Sequence, residues 1–446
     1  MSTGKKAFGL WSAVFLGIGS MVGAGIFIVI GEAGAIAGNL VWLSFVLGGI
    51  AALLSGYSLA KLALAYPSRG GIIEYLVQEY GEGIFSGSAG ILFYFSQLIA
   101  IAAVAKSFGA YASRMIPVGD YGQDIFAIGV VALFILINLI GAALVAKSEN
   151  IIVIIKVAVL TLFSVSALFY IQPELLSVKE MPPLKDMFFA VGLTFFAYQG
   201  FSVITNTVED MEAPTRNMMR AILIAIVLVG LLYVLTSIAV LGNLPLEKVI
   251  EAKDYALAEA ARPAFGEWGF KIMAVTALVA TASAINATLY AATEIGYALA
   301  VKGELPEIYT YNVFHSYSGL IISGILILPM ILFLNLSQVT TIAALVVLII
   351  QGLTHAGHLF RIKETGANKL LVIAAAASMF LVAAVTLYYT STHKMPLVAL
   401  YIFGTFVLAY LVEIVLRLVT KRVIKKQTHR SLFGKLEEEI ETLIKK

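Results

Sequence analysis

The stretch GIGSMVGAGIFIVIGEAG, residues 17–34, carries six glycines inside a long apolar run. Each glycine in a helix interior costs about 1 kcal/mol relative to alanine, so composition weakens the helix that hydrophobicity demands. Two readings account for this. Gly19 and Gly23 form a small-xxx-small pair, a common helix-packing face. Alternatively the helix is interrupted between Met21 and Ile26, leaving the N–H groups of Gly23, Ala24, Gly25 and Ile26 to meet a ligand. A dinucleotide fingerprint is excluded, because Gly17-Ile-Gly19-Ser-Met-Val-Gly23 has the wrong spacing and no strand precedes it.

The rest of the chain supplies the setting. Of 446 residues, 60% are hydrophobic and 13% charged, against roughly 25% charged in soluble domains. Twelve apolar stretches are long enough to cross a hydrocarbon core as helices: 10–36, 40–66, 84–112, 125–146, 150–171, 187–208, 219–242, 268–299, 318–335, 338–358, 369–389 and 396–419. The expected class is therefore an all-α integral membrane protein with 12 transmembrane helices. The first stretch is too long for a cleavable signal peptide. A net charge of +3 with scattered basic residues gives no footprint for nucleic acid, and the absence of cysteine excludes a disulfide-linked subunit.

Lysine and arginine in short loops set orientation. Lys5, Lys6, Arg69, Lys147, Arg216, Arg220, Lys302, Arg361, Lys363 and Lys369 fall on the side of the termini. Arg114, Lys179, Lys185, Lys248, Lys253, Arg262, Lys271 and Lys394 fall opposite. The crowded tail (Arg417, Lys421, Arg422, Lys425, Lys426, Arg430) makes both termini cytoplasmic in the expected topology, in the cytoplasmic (inner) membrane. The connection 244–267 reads as helical and lies across the outer face. In SLFGKLEEEIETLIKK, Phe433, Leu436, Ile440 and Leu443 share one helical face, which fits either an amphipathic helix or a solvated tail.

A second weak point falls in the sixth stretch, VGLTFFAYQGFSVITNTVEDMEAPTRNMMRAI, where Gly192, Gly200 and a set of polar residues sit at membrane depth. Stretches 1 and 6 each open a block of five. Interrupted helices at matching positions in two halves are the mark of an inverted-repeat transporter. A zwitterion suits such a pair: its carboxylate takes N–H groups of residues 23–26, and its ammonium takes carbonyls of Phe195, Phe196 and Gln199. A side-chain pocket around Tyr198, Gln199 and Ser283 has no carboxylate at mid-depth, which favours neutral substrates.

Four motifs in order resemble the amino acid, polyamine and organocation (APC) transporter superfamily: GSMVGAGIF, YPSRGGIIEYLVQEYGE, FFAYQGFSVITNTVEDMEAPTRNMMRAI and NATLYAATEIGYALAVKGELP. The resemblance covers residue 8 to about 360. It implies a LeuT-like fold with helices 1 and 6 broken: a first inverted repeat within 1–171, a second within 187–358, two further helices in 369–419, and a cytoplasmic tail, 420–446. Substrate contacts then fall on Met21, Gly23, Ala24, Gly25, Ile26, Phe195, Phe196, Tyr198, Gln199 and Ser283. The chain looks closest to prokaryotic proton-coupled, sodium-independent amino acid transporters. Their mark is a lysine in span 5, here Lys156, which the resemblance places against the Gly19 carbonyl and the Thr281–Ser283 region where sodium-coupled relatives bind an ion. A lysine in low dielectric can titrate near neutrality; the alternative is snorkelling, since Lys156 lies about two turns inside 150–171.

Lys61, Lys106, Glu294 and Glu413 lie near span ends and are expected to snorkel or pair with an opposite charge. Glu294 departs from the family's pattern, and Glu32 is expected at a solvated outer end. His315, His355, His358, His393 and His429 fall in loops or at span ends without metal spacing and receive no role. No nucleophile–base pair, metal set or carboxylate pair supports an enzyme. The leading expectation is proton-driven uptake of free neutral L-amino acids across the lipid bilayer, with no cofactor and no sodium; amino acid or amine exchange on the same fold is the alternative.

Overall fold

The computed structural model describes residues 9–68, 70–141, 143–177, 182–392 and 396–420, with only the backbone described for Ala24, 141–150, Pro396 and Thr420. The expected tail helix with Phe433, Leu436, Ile440 and Leu443 lies outside these residues. So do Lys5, Lys6, Arg69, Lys179, Lys394, Lys421, Arg422, Lys425, Lys426, Arg430, His393 and His429, and the Lys147 side chain.

In chain order the helices are α1 (Leu10–Ala37), α2 (Val41–Ala65), α3 (Ile72–Tyr80), α4 (Ile84–Met115), α5 (Gly122–Gly141), α6 (Ala143–Ala167), α7 (Leu184–Tyr198), α8 (Pro214–Asn243), α9 (Leu246–Glu251), α10 (Ala256–Glu259), α11 (Arg262–Lys302), α12 (Ser318–Phe333), α13 (Leu336–His358), α14 (Ile362–Thr365), α15 (Lys369–Thr392) and α16 (Pro396–Thr420). Strands β1 (Asn312–Val313) and β2 (Ser316–Tyr317) pair in a small antiparallel hairpin. Ten helical segments are long and apolar enough to cross a membrane, and two shorter apolar ones, Leu10–Gly23 and Ser318–Phe333, accompany them among the described residues. The protein is thus a multi-pass, all-helical membrane protein.

Apolar side chains point outward on α5, α6, α15 and α16, including Leu136, Ile154, Leu162, Leu381 and Leu418. In a bilayer such faces meet lipid tails. By contrast α1 is enclosed: among its described side chains, residues 21–34 are all buried. A helix surrounded on every side needs small residues wherever a neighbour comes close. The six glycines do that, each toward a different partner. Gly17 abuts Ile204 and Ala225, Gly19 abuts Val153, Gly23 abuts Ala284, Gly25 abuts Ala197 and Tyr233, Gly31 abuts the backbone of Lys253, and Gly34 abuts Val249. Close packing on all sides therefore explains the glycine content of α1. Its backbone leaves helical geometry at one residue, Val22 (φ −78°, ψ 20°).

One boundary differs from expectation. The polar run 147–149 reads as a loop but belongs to α6, which begins at Ala143. Lys156 is thirteen residues from the start of α6 and five residues inside its apolar, membrane-length segment, Ile151–Tyr170. In the sixth stretch, where an interruption is expected near residues 195–200, α7 ends at Tyr198 and the chain continues as a 3-10 helix, Gln199–Thr207. The connection 244–267 is helical as expected, and its turns α9 and α10 pack on α1 through contacts such as Gly34–Val249. At the start of α13 a capping box fixes the turn from α12: Asn335 Oδ1 accepts from the Gln338 N–H (2.8 Å), and Gln338 Oε1 accepts from the Asn335 N–H (3.0 Å).

A Cβ at Gly25 would sit 2.5 Å from the Ala197 carbonyl oxygen, which is backbone and cannot swing aside. Gly25→Ala should therefore lower the thermal midpoint of the detergent-solubilised protein, by about 1–3 kcal/mol of overpacking strain. Gly404→Ala, whose Cβ meets nothing within 4 Å, should leave the midpoint in place.

Candidate functional site

The Val22 kink and the switch from α7 to 3-10 helix face each other. Gly25 lies on Ala197, and Gly200 lies on the Ser20–Met21 backbone. A kink in apolar surroundings frees carbonyls that must find donors. Two carbonyls on the N-terminal side of Val22 accept from side chains of two other helices. Lys156 Nζ on α6 donates to the Gly19 carbonyl at 2.7 Å, and Tyr233 Oη on α8 donates to the Met21 carbonyl at 2.7 Å. Tyr233 Oη also lies 3.2 Å from the Ala197 carbonyl. In an α-helix that carbonyl would accept from Phe201, which here belongs to the 3-10 segment. One hydroxyl thus spans both discontinuities. Tyr233 was not among the candidates read from the sequence, although a tyrosine in the middle of an apolar span calls for a hydroxyl partner.

Lys156 is 1% exposed. Its burial and its bond to the Gly19 carbonyl exclude snorkelling, because the ammonium is held inside the bundle. Thr281 on α11 turns its hydroxyl back to the Ala277 carbonyl (2.7 Å), and Ser283 is buried on the same helix.

The remaining candidates divide. Met21, Gly23, Gly25 and Ile26 on α1 and Phe195 and Phe196 on α7 are buried where the two helices cross. The Ala24 side chain lies outside what is described. Tyr198 leaves this group: its hydroxyl donates to the Phe45 carbonyl on α2 (3.0 Å) and its ring lies against Gly49 and Gly230. Gln199 turns toward α13, where its Oε1 accepts from Gln351 Nε2 at 2.8 Å.

Both ends of the bundle carry ionic links. On the face away from the termini, Glu32 is buried rather than solvated, accepting from Ser337 Oγ at 2.7 Å with Lys253 Nζ at 3.6 Å. There Lys106 pairs with Asp124 at 2.8 Å. On the termini face Lys302 pairs with Glu74 (2.8 Å) and Arg417 with Glu413 (2.5 Å), while Lys61 Nζ donates to the Gly366 carbonyl at 3.3 Å. Glu294 borders a cleft of about 440 Å³ with Asn138, Tyr290 and His315. Glu304, in the loop after α11, is fully buried with no hydrogen-bond partner for either carboxyl oxygen among the described residues, and burial pushes its pKa up to about 8 against the opposing charge of Lys302.

The histidines at 355 and 358 lie in the last turn of α13, at a span end as expected. Both are fully buried in α13 and hydrogen-bonded to serines of α2. Their positions three residues apart on one helix signal a shared face, but only the packing of α2 against that face shows what it meets.

The sequence profile of the amino acid permease family matches residues 8–413. An uncharacterised protein of Methanocaldococcus jannaschii is 36% identical over 428 residues, 95% of this chain and 98% of that protein. The inner membrane transport protein YbaT of Escherichia coli is 34% identical over 352 residues, 78% of this chain and 82% of that protein. The serine/threonine exchanger SteT of Bacillus subtilis is 24% identical over 308 residues, 68% and 70% of the respective chains.

Two consequences are measurable. Tyr233→Phe keeps the ring but leaves the Met21 carbonyl without its donor, so unfolding stability should fall by about 1–3 kcal/mol and amide exchange should rise around residues 21–25. Glu304 binds its proton more tightly folded than unfolded, so its contribution is complete below the ordinary carboxyl range and is lost as pH rises to about 8. The thermal midpoint should decline from about pH 5 to about pH 8 and level off above, and Glu304→Gln should remove that part of the slope.

Proposed function

The chain belongs to the amino acid permease family, of the APC superfamily, and is a membrane transporter rather than an enzyme; from that premise we propose that it takes up neutral L-amino acids together with protons by alternating access. The observation that carries this reading is the Lys156 ammonium on the Gly19 carbonyl, beside the single non-helical residue of α1. Protonated, Lys156 ties α6 to α1 by a charge-assisted bond. Deprotonated, it holds that carbonyl more weakly, and α1 is released to tilt. Proton occupancy and helix position are thereby linked, as coupled transport requires. Because the ammonium takes the carbonyl itself, the reading includes no sodium and no cofactor.

The substrate is placed at the crossing of the two discontinuities, with its carboxylate toward residues 23–26 and its ammonium toward the carbonyls of Phe195 and Phe196. Apart from Lys156, no residue assembled there is charged, which favours a neutral side chain. The two discontinuities fall in the opening helices of residues 1–171 and 187–358, which supports reading these as inverted five-helix repeats, with α15 and α16 added to make twelve spans. The basic tail supports cytoplasmic termini in a cell membrane.

Exchange is the second reading, favoured by the relative named as a serine/threonine exchanger. Reconstituted protein separates the two. An inward proton gradient should drive accumulation of radiolabelled neutral L-amino acids by the native chain, and Lys156→Ala should abolish accumulation while retaining binding. Transport that ignores the gradient and requires preloaded amino acid would establish exchange instead, with Lys156 a structural charge.

A further inference from the structure

A continuous line of buried hydrogen bonds leaves the Gln199 turn and ends at the termini face. Gln351 Nε2 donates to Gln199 Oε1 (2.8 Å), and Ser55 Oγ donates to Gln351 Oε1 (2.7 Å). His355 Nε2 lies 2.8 Å from Ser55 Oγ and His355 Nδ1 lies 2.9 Å from Ser58 Oγ. His358 Nδ1 lies 2.8 Å from Ser58 Oγ, and His358 Nε2 lies 2.8 Å from Thr365 Oγ1. Ser55, Ser58, Gln351, His355 and His358 are all 0 or 1% exposed, whereas Gln199 and Thr365 at the two ends are partly exposed.

Donor arithmetic fixes how this line works. A hydroxyl has one proton to give, and that of Ser55 goes to Gln351, so neutral His355 must carry its proton on Nε2 and accept at Nδ1 from Ser58. With its own proton committed, Ser58 accepts from His358 Nδ1–H, and His358 Nε2 accepts from Thr365. Both imidazoles are then neutral, every group is satisfied, and all donors point toward the membrane centre.

We propose that Ser58, His355, His358 and Thr365 form a proton relay between the termini face and His355, a second proton-carrying site apart from Lys156. It rests on the proton-coupled reading. An entering proton adds to His358 Nε2 and makes an imidazolium. The His358 Nδ1 proton then passes to Ser58 Oγ as the Ser58 proton passes to His355 Nδ1. His355 is now the imidazolium, and His358 is neutral with its proton on Nε2. Thr365, which now accepts, turns its own hydroxyl to the Ile362 carbonyl 3.4 Å away. No proton is lost or gained beyond the one that entered. It stops at His355, because an amide oxygen is too weak a base to continue the line. There the charge strengthens the bond to Ser55 and, through Gln351, the hold on Gln199, so the relay's occupancy biases the turn where α7 gives way to the 3-10 segment.

Several titratable or charged groups surround the open end. Lys61 of α2 brings a like positive charge toward His358 and so opposes an imidazolium there, and Tyr66 at the end of α2 donates to Glu364 of α14. Arg361 pairs with Glu364 at 2.8 Å. Glu79 of α3 packs on Gly357, and Tyr80 Oη donates to the Leu353 carbonyl at 2.6 Å.

The test uses the full chain in proteoliposomes and an equimolar mixture of radiolabelled neutral L-amino acids. Native protein, Lys156→Ala, Ser58→Ala, Ser58→Thr and His358→Gln are compared in gradient-driven accumulation and in counterflow, which needs no net proton movement. The relay predicts that Ser58→Ala and His358→Gln lower accumulation by about a hundredfold, the scale of a positioned proton-transfer group, with counterflow unchanged. Ser58→Thr, which keeps the hydroxyl, should accumulate as native does. Native-like accumulation by Ser58→Ala and His358→Gln, with Lys156→Ala inactive, overturns the relay and leaves the proton-coupled reading intact. Loss of accumulation and counterflow together in Ser58→Ala and His358→Gln also overturns it, by making these groups structural. A native protein indifferent to the gradient overturns both.

Discussion

The structure turns on a single requirement: the backbone carbonyls freed where α1 kinks at Val22 must find donors in a place without bulk water. A strand-like or solvated solution is closed to a buried segment. The chain instead brings one side chain from each of two neighbouring helices, Lys156 from α6 and Tyr233 from α8, onto the carbonyls of Gly19 and Met21. Losing either donor leaves a polar group unpaired in the apolar interior, which costs more than an ordinary hydrogen bond contributes.

That requirement explains why α1 sits at the centre. Its donors come from different directions, so its neighbours must surround it, and a surrounded helix tolerates only small side chains at each approach. The glycines of residues 17–34 meet that demand. The same helix reaches Glu32, whose links to Ser337 and Lys253 join α1 to α13 and to the connection after α9 on the face away from the termini. A tilt of α1 therefore strains contacts at the kink and at that face together.

Polar side chains at membrane depth fall into two groups. Thr276, Thr281 and Thr293 return their hydroxyls to carbonyls one turn back on their own helix. They are self-satisfied and report little about neighbours. Others also bond across helices: Lys156 to α1, Tyr233 to α1 and α7, Ser164 with Thr236, Asn138 with Asn286, and the line from Gln199 to Thr365. Any motion that separates those helices must break these bonds, so the second group is where a moving transporter stores its alternatives.

The sequence by itself determined the class. Apolar stretches of membrane length, few charges and the ordered motifs of residues 8 to about 360 identify a multi-pass transporter, because hydropathy and segment length answer to the thickness of the bilayer alone. It also pointed to residues 21–26 and 195–200, since glycine and polar residues at membrane depth violate local propensity wherever they occur; there the structure takes Val22 out of helical geometry and turns to a 3-10 helix at Gln199. The start of α6 escaped it: residues 147–149 are polar enough to read as a loop, whereas the helix runs back to Ala143. Tyr233 and the paired roles of His355 and His358 also escaped it, because a buried polar group's meaning lies in its partner, and each partner is more than two hundred residues away or on another helix. Which side chain answers which freed carbonyl is a property of how the helices pack, and packing is decided by all of them at once.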